Sequence, residues 1–169
     1  GELNITESCL DRHLEKNGDK IAILWEGDNP EDVEKITYQK LYHDVCQLSN
    51  ALKRSGVQKG DRIIIYMGMI PQAAVAMLAC ARIGAVHSVV FGGFSATALR
   101  DRILDCESKV ILTQDSVYRG ARKIPLKIIV DEACNEQCQD IDSHVFVYKH
   151  TNDDIAWNED RDLDWKKIV

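Results

Sequence analysis

The stretch from Ile63 to Phe91, IIIYMGMIPQAAVAMLACARIGAVHSVVF, reads as strand, helix, strand. Ile63 to Met67 is apolar at every position, so both of its faces must be covered, and the turn Lys59-Gly60-Asp61 introduces it. Pro71 opens the helix at a position where a missing N–H does no harm, and Gly84 closes it. The helix is apolar almost all round and is expected to be buried. Val86 to Phe91 then reads as another apolar strand. A strand, a helix and another strand buried on both faces are the unit of a parallel sheet.

The same alternation continues outward. Toward the N-terminus, Leu41, Val45, Leu48 and Leu52 recur at spacings of four, three and four, which predicts an amphipathic helix from Tyr38 to Ser55, ended by Gly56. Before it, Ile21–Trp25 and Ile36–Tyr38 flank a polar, turn-rich stretch and suggest a hairpin. A short helix with Leu10 and Leu14 on one face, stopped at Gly18, opens the chain. Toward the C-terminus, Ser95 is placed to cap a helix whose inner face is Leu99, Ile103 and Leu104. Val110–Leu112, Ile128–Val130 and Val145–Tyr148 read as further short strands. The expected fold class is α/β: a doubly wound, mostly parallel sheet flanked by helices, over residues 1–150. Residues 151–169 are dense in charge and read as a connector, with Trp157 and Trp165 packing it back onto the body.

Composition narrows the function. The 169 residues carry 27 acidic and 21 basic side chains, a formal net charge of −6. Non-specific nucleic-acid binding needs a basic face that releases counterions, so nucleic acid is not an expected partner. No apolar run is long enough to span a bilayer, and the first residues form no secretory signal, so no membrane is expected. Four of the six cysteines lie in segments that read as helices, at wide, irregular intervals, which fits reduced thiols and a cytoplasmic location. Cys134 and Cys138 have the spacing of a metal half-site. With no second Cys/His pair at finger-like spacing beside His144 and His150, no metal is assigned.

In an open α/β sheet, ligands bind where strand ends meet helix N-termini, and two loops qualify. Phe91-Gly92-Gly93-Phe94-Ser95 joins a strand to a helix; its glycines allow close backbone approach, although a tight turn capped by Ser95 would use the same residues. Tyr118-Arg119-Gly120-Ala121-Arg122-Lys123, with Lys127 beyond, is the clearest positive cluster in an acidic chain. Its arginines suit phosphate, or alternatively form solvated pairs with Asp115 or Asp131. His13, His43 and His87 lack a nucleophile partner, Met67 and Met69 read as packing, and Asp153 to Asp164 read as a solvated acidic face. No catalytic residue is assigned.

Ile65-Tyr66-Met67-Gly68-Met69-Ile70-Pro71, continuing as AAVAMLACARIGAVHSVVFGGFS over residues 73–95, strongly resembles the acetyl-CoA synthetases of the adenylate-forming family. The likeness reaches back to Cys9–Leu14 and Trp25–Asp28. It runs forward through Arg119–Arg122, Ile124–Lys127 and Arg161-Asp162-Leu163-x-Trp165, nearly the whole chain. The resemblance implies an enzyme that uses ATP, Mg²⁺ and CoA to convert acetate to acetyl-CoA through acetyl-AMP. It implies that this chain is the early part of a large N-terminal domain, followed by a phosphate loop, acyl pocket and C-terminal domain in the remainder of the polypeptide. The fragment alone is therefore expected to be inactive. By the same resemblance Arg119, Gly120, Ala121, Arg122 and Gly92 belong to the CoA nucleotide site. Gly68 replaces the Pro usual in the family and is expected to loosen the strand exit, and the Gly120-Ala121 order departs from the usual pair. A propionyl- or other short-chain acyl-CoA synthetase is the nearest alternative. A non-catalytic nucleotide- or CoA-binding module is the alternative from another class.

Overall fold

Strands buried on both faces belong inside a sheet covered by helices, and the computed structural model, which describes residues 1–134 and 144–169, has that arrangement. In chain order, α1 (Ile5–Cys9), a 3-10 turn (Asp11–His13) and α2 (Leu14–Asn17) precede the hairpin of β1 (Ile21–Glu26) and β2 (Val33–Thr37). Then come α3 (Tyr38–Arg54), β3 (Arg62–Tyr66), α4 (Pro71–Ile83), β4 (Val86–Val89), α5 (Ala96–Cys106) and β5 (Val110–Gln114). A second hairpin, β6 (Val117–Arg119) and β7 (Arg122–Ile124), leads to α6 (Leu126–Ala133), β8 (His144–Tyr148), β9 (Asp162–Asp164) and α7 (Trp165–Ile168).

Five of these strands form one parallel sheet in the order β4-β3-β5-β8-β9. Side chains alternate across it. Ile63 and Ile65 face one way, into a cluster with Leu48 and Leu52 of α3 and Val75 and Ala79 of α4. Ile64 and Tyr66 face the other way, against Leu99 and Ile103 of α5 and Leu126 and Val130 of α6. Burying each such aliphatic side chain stabilises the fold by about 1.5–3 kcal/mol before entropy is counted. The sheet is doubly wound, with α3 and α4 on one face and α5 and α6 on the other.

Several local expectations change. Ile128–Val130 is not a strand but lies in α6, where Leu126, Val130 and Ala133 are buried at helical spacing and Ile128 is exposed. The parallel step from β5 to β8 requires a crossover, and α6 supplies its helix. The strand expected to reach Phe91 ends at Val89. It is an edge strand, with Val86 and Val89 exposed rather than covered on both faces. The first helix is broken into two short helices by the turn at Asp11–His13, and Leu104 sits outside the core of α5. The hairpin of β1 and β2, the capping of α5 by Ser95 and the packing of Trp165 are as expected.

The charged tail contributes to the sheet itself. β9 pairs with β8, and Asp162 within it is buried rather than solvated. Its carboxylate meets Lys127 Nζ at 2.8 Å and Arg161 Nε at 2.8 Å, and Lys127 also reaches Asp131 at 2.8 Å. Lys127 is thus fully buried and is no part of a surface basic cluster. Burial pushes the Asp162 carboxyl up, but hydrogen bonds from Arg161, Lys127 and the Asn158 N–H bring it below the usual carboxylate value.

Candidate functional site

All strands of the main sheet run the same way, so their carboxyl ends share one edge. β4 and β5 flank β3, so the chain passes from one side of β3 to the other between them. Loops leaving β4 and β5 therefore diverge around the end of β3, where open α/β sheets bind ligands.

The loop after β5 is a hairpin rather than an irregular basic loop. Its register pairs Val117 with Ile124, Tyr118 with Lys123 and Arg119 with Arg122, leaving Gly120-Ala121 as a two-residue turn. Gly120 has φ +60° and Ala121 is not in the left-handed region, the φ pattern of a II′ turn with glycine first. The Gly-then-Ala order is thus the one this turn requires. Directly opposite residues on a hairpin project from the same face, so Arg119 and Arg122 stand side by side. Both are exposed, and neither has an ion pair among the described residues. Two like charges in directly opposed positions repel, by an amount on the order of 0.2–1 kcal/mol, until an anion offsets them. Tyr118 and Lys123 occupy the neighbouring pair, and Lys123 is held by Asp153.

Asp115 fixes the base of this hairpin. Its buried carboxylate accepts from the backbone N–H groups of Ser116, His150, Thr151 and Asp153 at 2.8–3.1 Å. Burial raises its pKa, the four donors lower it, and the balance lies below the ordinary value. Asp115, one of the two carboxylates expected as partners of the arginines, is therefore spent on backbone.

The loop after β4 abuts the hairpin. Phe91 carries the Arg119 guanidinium over its ring at 5.0 Å and meets the edge of Phe94 at 6.1 Å. Tyr66, buried at the end of β3, donates its hydroxyl to the Phe94 carbonyl at 2.8 Å. Burial pushes that phenol up to about 12, so it stays protonated and remains a donor. A Cβ on Gly93 would come within 2.6 Å of Phe91 Cε1, so glycine here makes room for the ring. A Cβ on Gly92 would meet only ordinary contacts, Leu126 at 3.5 Å and the Met67 carbonyl at 3.6 Å. The protein itself thus leaves room for a Cβ at Gly92.

Thus the structure brings Arg119, Gly120, Ala121, Arg122 and the Gly92 loop together at one end of the sheet. It leaves out Lys127. Phe91 and Phe94 belong to a loop that the sequence singles out, although neither is assigned to the site there, and Tyr66 and Asp115 are not assigned either. The aromatics on either side of the glycine pair were the available signal, while Asp115 gave none beyond its place after a strand.

The other candidates stay apart. An open cavity of about 470 Å³ lies between the two hairpins, lined in part by Trp25, Asp28, Asp32, Met69, Tyr118 and His150. Its acidic rim disfavours a polyanion, which favours the arginine side of the hairpin instead. Trp25 donates its indole N–H to the Met69 carbonyl at 2.7 Å, and the Met69 side chain is 90% exposed rather than packed, while Met67 is buried. His13 stacks near Tyr38 and His43 lies 3.5 Å from Asp44, with no nucleophile at either. Among the described residues no group of three or more His, Cys, Asp or Glu could hold a metal, and no helix is long and apolar enough to cross a membrane. Cys138, half of the suggested metal pair, lies outside the described residues.

The chain is similar to known proteins along its length. Acetyl-coenzyme A synthetase 2 of Pseudomonas aeruginosa is 58% identical over 163 residues, 96% of this chain and 25% of that protein. Acetyl-coenzyme A synthetase of Vibrio vulnificus is 54% identical over 169 residues, 100% of this chain and 26% of that protein. The structure of acetoacetyl-CoA synthetase from Streptomyces lividans superposes with a TM-score of 0.87 at 28% identity, over 98% of this chain and 25% of that one. The chain therefore spans about a quarter of the length of the curated relatives it matches. The family described as AMP-binding enzyme matches residues 10–167, and with relatives this similar along its whole length the chain belongs to the AMP-binding enzyme family.

Proposed function

We propose that the chain is the CoA-nucleotide-binding part of an acetate–CoA ligase. In the first step acetate attacks ATP, giving acetyl-AMP and pyrophosphate. In the second the CoA thiol, losing its proton to solvent, attacks the acetyl carbonyl; the acyl–oxygen bond breaks and AMP leaves with its electron pair. ATP activation supplies the leaving group, so this segment needs no acid–base pair of its own. Its contribution is binding: Arg119 and Arg122 neutralise CoA phosphates, Gly120-Ala121 sets their spacing, and Gly92 lets the adenine side lie against backbone. Mg²⁺ enters only as the companion of ATP, and no residue of this chain is assigned to it. A cytoplasmic location is supported by the free thiols of Cys9, Cys46, Cys80 and Cys106.

One observation carries the reading. Arg119 and Arg122 project side by side beside the Gly92 loop, and neither has a carboxylate partner among the described residues. Well-placed charge-assisted hydrogen bonds contribute about 1.5–3 kcal/mol each. Replacing both arginines by alanine in the full-length protein should raise the KM for CoA by about two orders of magnitude. Acetate-dependent pyrophosphate exchange, which does not need CoA, should continue. An unchanged KM would refute the site. The same exchange assay on residues 1–169 alone should show no turnover, and turnover would show that the segment is self-sufficient.

A further inference from the structure

A third arginine stands on the aromatic pair that carries Arg119. Phe91 and Phe94 meet edge to face, with ring centroids 6.1 Å apart and planes at 78°. Arg119 lies over Phe91 at 5.0 Å, and Arg102, on the second turn of α5, lies over Phe94 at 5.6 Å. The four side chains make a run of arginine, phenylalanine, phenylalanine, arginine, with a cation on each ring. Asp101 and Asp105 are close to Arg102 in sequence, yet no ion pair of Arg102 occurs among the described residues. An exposed cation–π contact is a weak restraint that leaves the in-plane N–H donors of a guanidinium open.

We propose that Arg102 is a further anion-binding residue of this site, taking the lone phosphate monoester of the CoA nucleotide while Arg119 and Arg122 take its diphosphate. The inference rests on the CoA reading of the arginine hairpin. Two guanidinium forks side by side match the two linked phosphates of a diphosphate, and a single fork matches a monoester. The two sets stand on different rings of one aromatic pair, so they suit a ligand that carries a diphosphate and a separate monoester at two positions of one sugar. The Tyr66 hydroxyl holds the Phe94 carbonyl, so the platform beneath Arg102 is fixed to the sheet.

The test uses the full-length protein with CoA and with 3′-dephospho-CoA, which lacks only the monoester. Arg102→Ala should raise the KM for CoA about tenfold and leave that for 3′-dephospho-CoA unchanged. Arg102→Gln, which keeps most of the side-chain stem, should behave the same way, and the thermal midpoint of each variant checks folding. An unchanged KM for CoA, or an equal rise for both substrates, would overturn the assignment. The alanine pair at Arg119 and Arg122 separates the two readings. If that pair raises both KM values while Arg102→Ala alters neither, only the Arg102 assignment fails; if the pair alters neither, the CoA reading itself fails.

Discussion

Lys127 Nζ lies 2.8 Å from a carboxylate oxygen of Asp162, and both side chains are fully withdrawn from solvent. One residue belongs to α6 and the other to β9, so a buried ion pair joins the crossover helix to the last strand of the sheet. Arg161 and Asp131 complete the cluster, and Lys127 also donates to the Ala156 carbonyl at 3.1 Å.

Removing one member of such a cluster leaves the others charged and unpaired. Lys127→Ala should therefore destabilise the fold by about 3–5 kcal/mol, more than its lost packing alone. Denaturant unfolding of the variant against the parent protein measures this. A loss under about 1 kcal/mol would mean that water reaches the cluster and screens it.

Acid should act through Asp115 and Asp162. Both carboxyls have folded-state pKa values below the ordinary value of 3.8, so each stabilises the fold most fully above that value. The contribution is lost as the pH falls through the lowered folded values, when the native state must take up protons. Stability measured from neutral pH downward should hold until the carboxylate range and then fall. Asp115→Asn should flatten part of that fall, since it removes one titrating group.

Thiol chemistry should separate the cysteines. Burial pushes the Cys80 thiol up to about 12, and Cys9 is exposed. The thiolate is the reacting form, so alkylation near neutral pH should label Cys9 first and leave Cys80 unmodified until the protein unfolds. Peptide mass mapping over time reads the order, and early labelling of Cys80 would show that the helix carrying it opens.

Much of the fold was legible because both-face burial leaves a continuous apolar signature. Ile63–Met67 and Val110–Leu112 could hardly be anything but inner strands. Ile128–Val130 shows where that logic fails: three β-branched or aliphatic residues in a row look like a strand, and only Leu126 and Ala133 on either side reveal the helical face. Val86 and Val89 mislead in the opposite sense, because an apolar run on an edge strand need not be covered. Gly68, expected to loosen the end of β3, instead donates its N–H to Gln114 Oε1 at 2.8 Å, and a Cβ there would meet Val117 at 2.4 Å. At the site, the arginines stood out as the positive cluster of an acidic chain. Their alignment did not, because it depends on a hairpin register that a two-residue turn decides. Phe91 and Arg119 were illegible as partners, since nothing local says which ring a distant guanidinium will cover.

The buried ions at the joint between α6 and β9 also bear on temperature. Stripping water from charges becomes less costly as a protein is warmed, while the gain from apolar burial levels off. The joint around Lys127 should thus hold its strength on heating better than the purely aliphatic contacts between α4 and β3. On warming, the seam beside the arginine hairpin should yield after the opposite face of the sheet has begun to loosen.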